Sequence, residues 1–237
     1  MKLTSSRTLH GQIVHELGRQ IVAGQYKPGE VLPREELIAK QLNVSRTALR
    51  ESLRVLGSKG LIETRQKTGT RVRDPEHWNL LDPDVLSWHG AALPDLEFVD
   101  QLAEMRELIE PAAAALAARR RSADQLDRIR EAYEAMAAAD DMEAWAAADL
   151  QFHHAVLDAT ANALLRPLFS VIETALGSYL LLSARKADAD FKYSLPRHRR
   201  VYEAIATQQP ELARQSMLEM IADSRRNLRN EGDSPGG

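Results

Sequence analysis

A mostly α-helical chain in two modules is predicted from three observations. Apolar residues recur at helical rather than alternating spacing along most of the length. A two-strand pattern occurs once, early, behind three short helices. Charge divides at residue 74: residues 1–74 hold 14 Lys and Arg against 7 Asp and Glu, and the remainder holds 17 against 27. A basic first third on an acidic remainder suggests one module for a polyanion and another for something else. The 237 residues suffice for two small domains.

The elements of residues 1–74 follow in order. TLHGQIVHELGRQIVAG (8–24) places Leu9, Ile13, Leu17 and Ile21 at helical spacing, with Gly24 as C-cap. YKPGEVLP (26–33) is a turn signalled by Pro28-Gly29. Arg34–Leu42 is a short helix stopped by Asn43. Ser45 caps the next helix, 45–59, which carries Leu49, Leu53 and Leu56 on one face and ends at Gly60. LIETR and TRVR are strands joined by QKTG, a turn suited to a hairpin. Three helices with a tight turn before the last, followed by a hairpin, make a winged helix-turn-helix.

The last helix of such a unit can lie in a major groove with its first residues at base edges. Here that turn is Ser45-Arg46-Thr47, with Arg50 sharing the face of Arg46 at i+4, away from the leucines. Arginine forks are the commonest specific readers of guanine. Arg65 and Lys67 add charge at the hairpin turn. The alternative is two solvated arginines on a surface helix.

PGEVLPREELIAKQLNVSRTALRESLRVLGSKGLIETRQKTGTRV resembles the N-terminal domain of the GntR family of bacterial transcription regulators. The resemblance implies that Arg46 and Arg50 contact operator bases or phosphates and that the turn near Gly69 approaches the minor groove. Two positions depart from the family pattern. Glu36 stands where the family has an arginine, a contact that Arg34 would replace, and Lys67 stands where it has a second wing glycine.

Residues 75–94, with Pro75, Pro83 and Pro94, read as a linker, partly packed because Trp78 and Trp88 are costly to leave in water. HWNLLDPDVLSWH resembles the same region in FadR-like GntR regulators that respond to sugar acids such as galactonate. Residues 95–231 form the second module. Helices are expected near 95–119, 123–139, 141–159, 162–185, 195–208 and 210–229, with Ser122 capping one and Pro210 in the first turn of another. Six such helices make an antiparallel bundle, with ligand sites between facing helices.

DLQFHHAVLD (149–158) brings chemistry into this bundle. Asp149 and His153 stand within about 40° of each other around a helix, on the side of Leu150, Val156 and Leu157, whereas His154 is turned about 100° away. His198 faces inward with Val201, Tyr202 and Ile205. A buried ionised aspartate is costly unless paired or bound to a cation. Asp with two neutral imidazoles suits a divalent metal of the zinc type. The other reading is an Asp–His hydrogen bond beside an unrelated buried histidine. Arg106 borders the stripe Leu102, Ile109, Ala113, and by its chemistry wants a carboxylate, either that of Glu110 or that of a ligand.

Residues 96–229 are similar to the all-helical, FCD-type ligand-binding domain of FadR-like GntR regulators. The resemblance implies a metal held by Asp149, His153 and His198. Its fourth ligand, a histidine in the family, falls on Met220, whose thioether is a poor ligand for such a cation. Three protein ligands would leave positions for water or effector oxygens. It also implies that Arg106 grips an acidic effector, with Asn162, Tyr202 and Arg225 as further pocket residues.

The expected function is a cytoplasmic, homodimeric repressor, released from operator DNA by a small carboxylate effector such as galactonate or a related aldonate. A regulator of another organic acid or fatty acyl ligand, without metal, is the alternative. A bundle metalloenzyme is the remote one: the chain has no Glu-x-x-His, His-Glu-x-x-His, Gly-rich phosphate loop or Gly-x-Ser-x-Gly. With no cysteine, disulfides, thiolate metal sites and cysteine nucleophiles are excluded. No apolar run reaches the roughly 18 residues of a membrane span, and MKLTSSRTLHGQ lacks the apolar core of a signal peptide.

Overall fold

The computed structural model describes residues 9–65, 69–91, 96–183 and 191–232. The chain divides into two compact units, Lys2–Leu93 and Pro94–Gly237.

In the first unit, α1 (Leu9–Val22), α2 (Glu35–Gln41) and α3 (Arg46–Ser58) precede the antiparallel strands β1 (Ile62–Arg65) and β2 (Gly69–Val72), which pair Ile62 with Val72 and Arg65 with Gly69. Ile13, Leu17, Ile21, Ile38, Leu49, Leu53 and Leu56 form the core with Leu61 and Val72 of the hairpin. The expected punctuation is present. Asn43 takes the left-handed conformation between α2 and α3 (φ 53°). The Ser45 hydroxyl accepts the Ala48 N–H at 3.1 Å. The hairpin is tied down by the segment before α2: Leu32 N–H donates to Thr70 O and Val72 N–H to Glu30 O.

The segment read as a linker holds more structure than its sequence period suggested. A 3-10 turn, Pro75–His77, leads to α4 (Pro83–Ala91), which packs on α1 and belongs to the first unit. Val85, Leu86 and Trp88 are buried. Gly18 of α1 makes the seat for Trp88, since a Cβ there would come within 2.3 Å of the indole ring. The Trp88 Nε1–H donates to His15 Nδ1 at 2.8 Å. With only nine residues, α4 shows too little amphipathic period to be read from sequence.

The second unit is a helical bundle of α5 (Leu96–Arg120), α6 (Ala123–Ala138), α7 (Met142–Asp158), α8 (Phe169–Ser183), α9 (Leu195–Ala206) and α10 (Pro210–Gly232). The long α5 packs against α7, α8, α9 and α10, most extensively on α10. Its buried Ala113, Ala114, Ala117 and Ala118 suit close approach of its neighbours. Ser122 and Gln125 form a reciprocal capping box for α6, and Asp141 caps α7 by accepting the Ala144 N–H at 2.8 Å. Helix α8 starts seven residues later than the expected 162. Ala161 is left-handed (φ 53°), the Asn162 side chain accepts the Leu164 N–H, and Pro167 sits in a 3-10 turn, Arg166–Leu168. Residues 184 and 185 of that expected helix lie outside the described residues. No described helix is long and apolar enough to cross a membrane.

Candidate functional sites

The first candidate site is the outward face of α3. Arg46 and Arg50 project from it, with side chains about two-thirds exposed, at 66% and 67%. Both are already in ion pairs with α2. Arg46 Nη1 lies 3.0 Å from Glu36 Oε1, and Arg50 Nε donates to Glu35 Oε2 at 2.7 Å. Arg34, Ser45 and Thr47 are exposed beside them. Arg65, exposed at the end of β1, pairs with Glu63 at 2.9 Å. Gly69 opens β2 in the left-handed region (φ 86°), as the turn of a wing requires. Lys67 lies outside the described residues. Sequence reasoning passed over Arg54, exposed and paired with Glu51, although its place one turn beyond Arg50 was signal enough. It also missed the two acids of α2 as partners of the arginines.

The second candidate site lies in the bundle, where α5, α7 and α9 meet. Asp149 and His153 of α7 and His198 of α9 are buried, and their ligand atoms lie within 4.8 Å of one another. His198 Nδ1 is 3.0 Å from the Ser194 carbonyl. An acceptor there calls for a proton on Nδ1 and turns Nε2 towards the interior of the site. His198 Nε2 faces Asp149 Oδ1 at 2.8 Å, at ion-pair distance but without an aligned hydrogen bond. His153 repeats the pattern. Glu110 Oε2 of α5 lies against its Nδ1, leaving Nε2 towards Asp149 Oδ1 at 3.8 Å. Glu110 Oε2 and His153 Nδ1 are likewise buried without an aligned partner.

Electrostatics keep both carboxylates charged. Burial would raise the Glu110 carboxyl, but Arg106 and His153 overcome it and hold it at about 2. Burial also works against Asp149, yet His198 first, then His153 and Arg106, draw it below the usual aspartate range. A buried carboxylate with two imidazoles turned towards it, their ligand atoms within 4.8 Å of one another, fits a divalent cation of the zinc type. Phe152 sits edge-on to His198, with ring centroids 5.1 Å apart, and Trp145 stands 6.2 Å away on another side. Met220 is buried in the same apolar cluster as these rings.

The remaining expected residues divide. Arg106 is brought to the site: Nε donates to Glu110 Oε1 at 2.5 Å and Nη2 lies 3.5 Å from His153 Nε2. Its first partner is thus the internal carboxylate, one of the two alternatives. Arg225 is not brought there. It is gripped by Asp100 at 2.6 and 2.7 Å, Glu104 at 2.9 Å and Glu107 at 3.1 Å, all from α5, and these share no member with the Asp149 group. Tyr202 stacks on Tyr133 of α6 at 5.8 Å, and Asn162 shapes the turn after α7. His154, turned away as expected, lines a groove of about 580 Å3 between α6 and α7 with Gln125, Arg128, Glu131, Gln151 and Asp158. Asp149, His153 and His198 are not in its lining. Glu110 as the support of His153 is a cross-helix contact that only the packing of α5 on α7 creates.

Comparisons with known proteins agree with this division of labour. Residues 9–72 match the model of bacterial regulatory proteins of the gntR family, and residues 101–223 match the FCD domain. The galactonate operon transcriptional repressor of Escherichia coli is 36% identical over 92% of this chain and 96% of its own. The HTH-type transcriptional regulator LutR of Bacillus subtilis is 34% identical over 82% of this chain and 90% of its own. The solved structure of Lar, which controls expression of the Listeria monocytogenes agr system, superimposes with a TM-score of 0.67 over 96% of this chain and 99% of its own. At 20% identity it supports the fold alone. These relatives are regulators, not enzymes. The basic winged helix-turn-helix and the helical bundle behind it are accordingly those of a DNA-binding transcription regulator, and the chain belongs to the GntR family, in the branch that carries an FCD domain.

Proposed function

We propose that the protein is a cytoplasmic, homodimeric repressor of a sugar-acid catabolic operon, released from its operator by a small carboxylate such as galactonate or a related aldonate. The supporting observation is the buried group Asp149, His153 and His198, with Arg106 beside it, inside an FCD domain. Kinship with the galactonate operon repressor supports the choice of effector class. Asp149, His153 and His198 would hold the divalent cation, which would supply a positive Lewis-acidic centre for effector oxygens. Glu110 and the Ser194 carbonyl set the imidazole tautomers, which is the usual task of residues behind metal ligands. Arg106, whose fixed fork matches a carboxylate, would take up the acid group of the effector.

On the DNA side, Arg46 and Arg50 read base edges, with Ser45, Thr47 and Arg34 at the same face. Arg65, Lys67 and the turn at Gly69 approach the backbone or minor groove. In a dimer the two α3 helices enter successive major grooves of a palindromic site. Release requires that the effector bind one arrangement of the dimer better than the other.

The test is a thermal-shift screen of the metal-loaded protein against aldonates, aldarates and short hydroxy acids, followed by operator-release assays. A bound effector raises the melting temperature by mass action. An aldonate that stabilises the protein and releases DNA, with both effects lost after chelation, supports the reading. Stabilisation by an acyl ligand that chelation does not affect would replace it with the metal-free alternative.

A further inference from the structure

We infer that Glu36 is a specificity-determining residue of the DNA-reading face, accepting a hydrogen bond from the N4 amino group of a cytosine that neighbours the guanine read by Arg46. The inference rests on α3 being the helix that enters the groove. Glu36 is exposed at the same face, its carboxylate 3.0 Å from Arg46 Nη1. Both side chains are about two-thirds exposed, at 63% and 66%, so the pair is screened by water and adds little to stability.

Its cost to DNA binding is greater. A carboxylate there repels phosphates, and it opposes the charge neutralisation that drives non-specific affinity. In the major groove it also meets unfavourable acceptors at guanine O6 and N7 and at thymine O4. Cytosine N4 is a base-edge donor whose recognition by Glu is a standard pairing. The ion pair ties both side chains to one stretch of groove, so the arginine fork and the carboxylate read adjoining base pairs. Glu36 acts on Arg46 as an orienting partner and on the duplex as a filter, admitting cytosine and rejecting bases that present only acceptors. Glu35 differs: its side chain is 34% exposed and holds Arg50 through Nε.

The experiment is selection of binding sites from random duplex DNA by the full-length protein and by Glu36→Gln and Glu36→Ala, with thermal midpoints measured alongside. The wild type is expected to enrich a half-site with a guanine and a neighbouring cytosine. Glu36→Ala is expected to relax the cytosine position by about fivefold or more, the usual scale of a single mismatch. Glu36→Gln is expected to move that position towards adenine, because an amide reads adenine N6 and N7. Both variants are expected to bind unrelated DNA more tightly. A wild-type site with unchanged base preferences in both variants overturns the inference and leaves the α3 assignment standing. Failure of the wild-type protein to enrich any site overturns both.

Discussion

Glu110 illustrates how a single side chain can carry two obligations. One oxygen holds Arg106 and the other lies against His153, and the whole group is out of water. Glu110→Gln keeps the shape and removes the charge. We expect metal affinity to fall by about 10- to 100-fold, the usual loss when a ligand's supporting partner is removed. We also expect folding stability to drop by about 3–5 kcal/mol, because Arg106 is left as a buried charge without its main counterion. Metal titration and denaturant unfolding read the two effects separately. A variant with wild-type metal affinity would mean that the imidazoles are oriented by something other than their Nδ1 neighbours. Half of this arrangement was legible in the sequence. The i,i+4 spacing of Arg106 with Glu110, and of Asp149 with His153, follows from helix geometry alone. That Glu110 reaches His153 was not legible, since it depends on the crossing of α5 over α7. Arg225 shows the same limit: nothing in its own helix announces the three carboxylates of α5 that hold it.

Among the elements, α3 was the easiest to read because each of its levels agrees: Ser45 caps it, three leucines form one stripe, and Gly60 ends it in the left-handed region (φ 80°). Ser45→Ala is expected to cost about 1 kcal/mol of stability in the first unit, the value typical of a lost N-cap. Chemical denaturation followed by tryptophan fluorescence in a Trp145→Phe background, where both remaining tryptophans belong to the first unit, measures it. Helix α4 was hidden because Pro75, Pro83 and Pro94 in its segment argued for a loop, while the packing that makes it a helix comes from α1. Gly18→Ala tests that packing. The new methyl group must displace the Trp88 ring. A loss of about 1–3 kcal/mol, typical of overpacking, is expected, with a red shift of tryptophan emission. An unchanged spectrum and melting curve would show that α4 is not anchored through this contact.

For the molecule as a whole, the division of charge along the chain predicts how it binds DNA. The unit with the exposed arginines makes contacts that release counterions, so affinity should fall steeply with salt. Arg50→Ala should weaken binding and reduce the slope of log affinity against log salt by about 1 per protomer if it meets a phosphate. A base-edge contact would instead show as relaxed specificity at one position. Binding that is unchanged at every salt concentration would remove Arg50 from the interface. The packing of α4 on the first unit has a second anchor besides Trp88. Lys59, directly after α3, reaches Asp82 at 2.7 Å and Asp84 at 3.0 Å around the start of α4, and its carbonyl accepts the Asn79 N–H at 2.9 Å. The tail of the DNA-reading helix is therefore bolted to the root of the last helix before the chain enters the bundle. The end of α3 and the start of α4 hold or fail together, so Lys59→Met, which leaves Asp82 and Asp84 without their ammonium partner, is expected to lower the thermal midpoint of the first unit, and an unchanged melting curve would show that α4 is held by its packing on α1 alone.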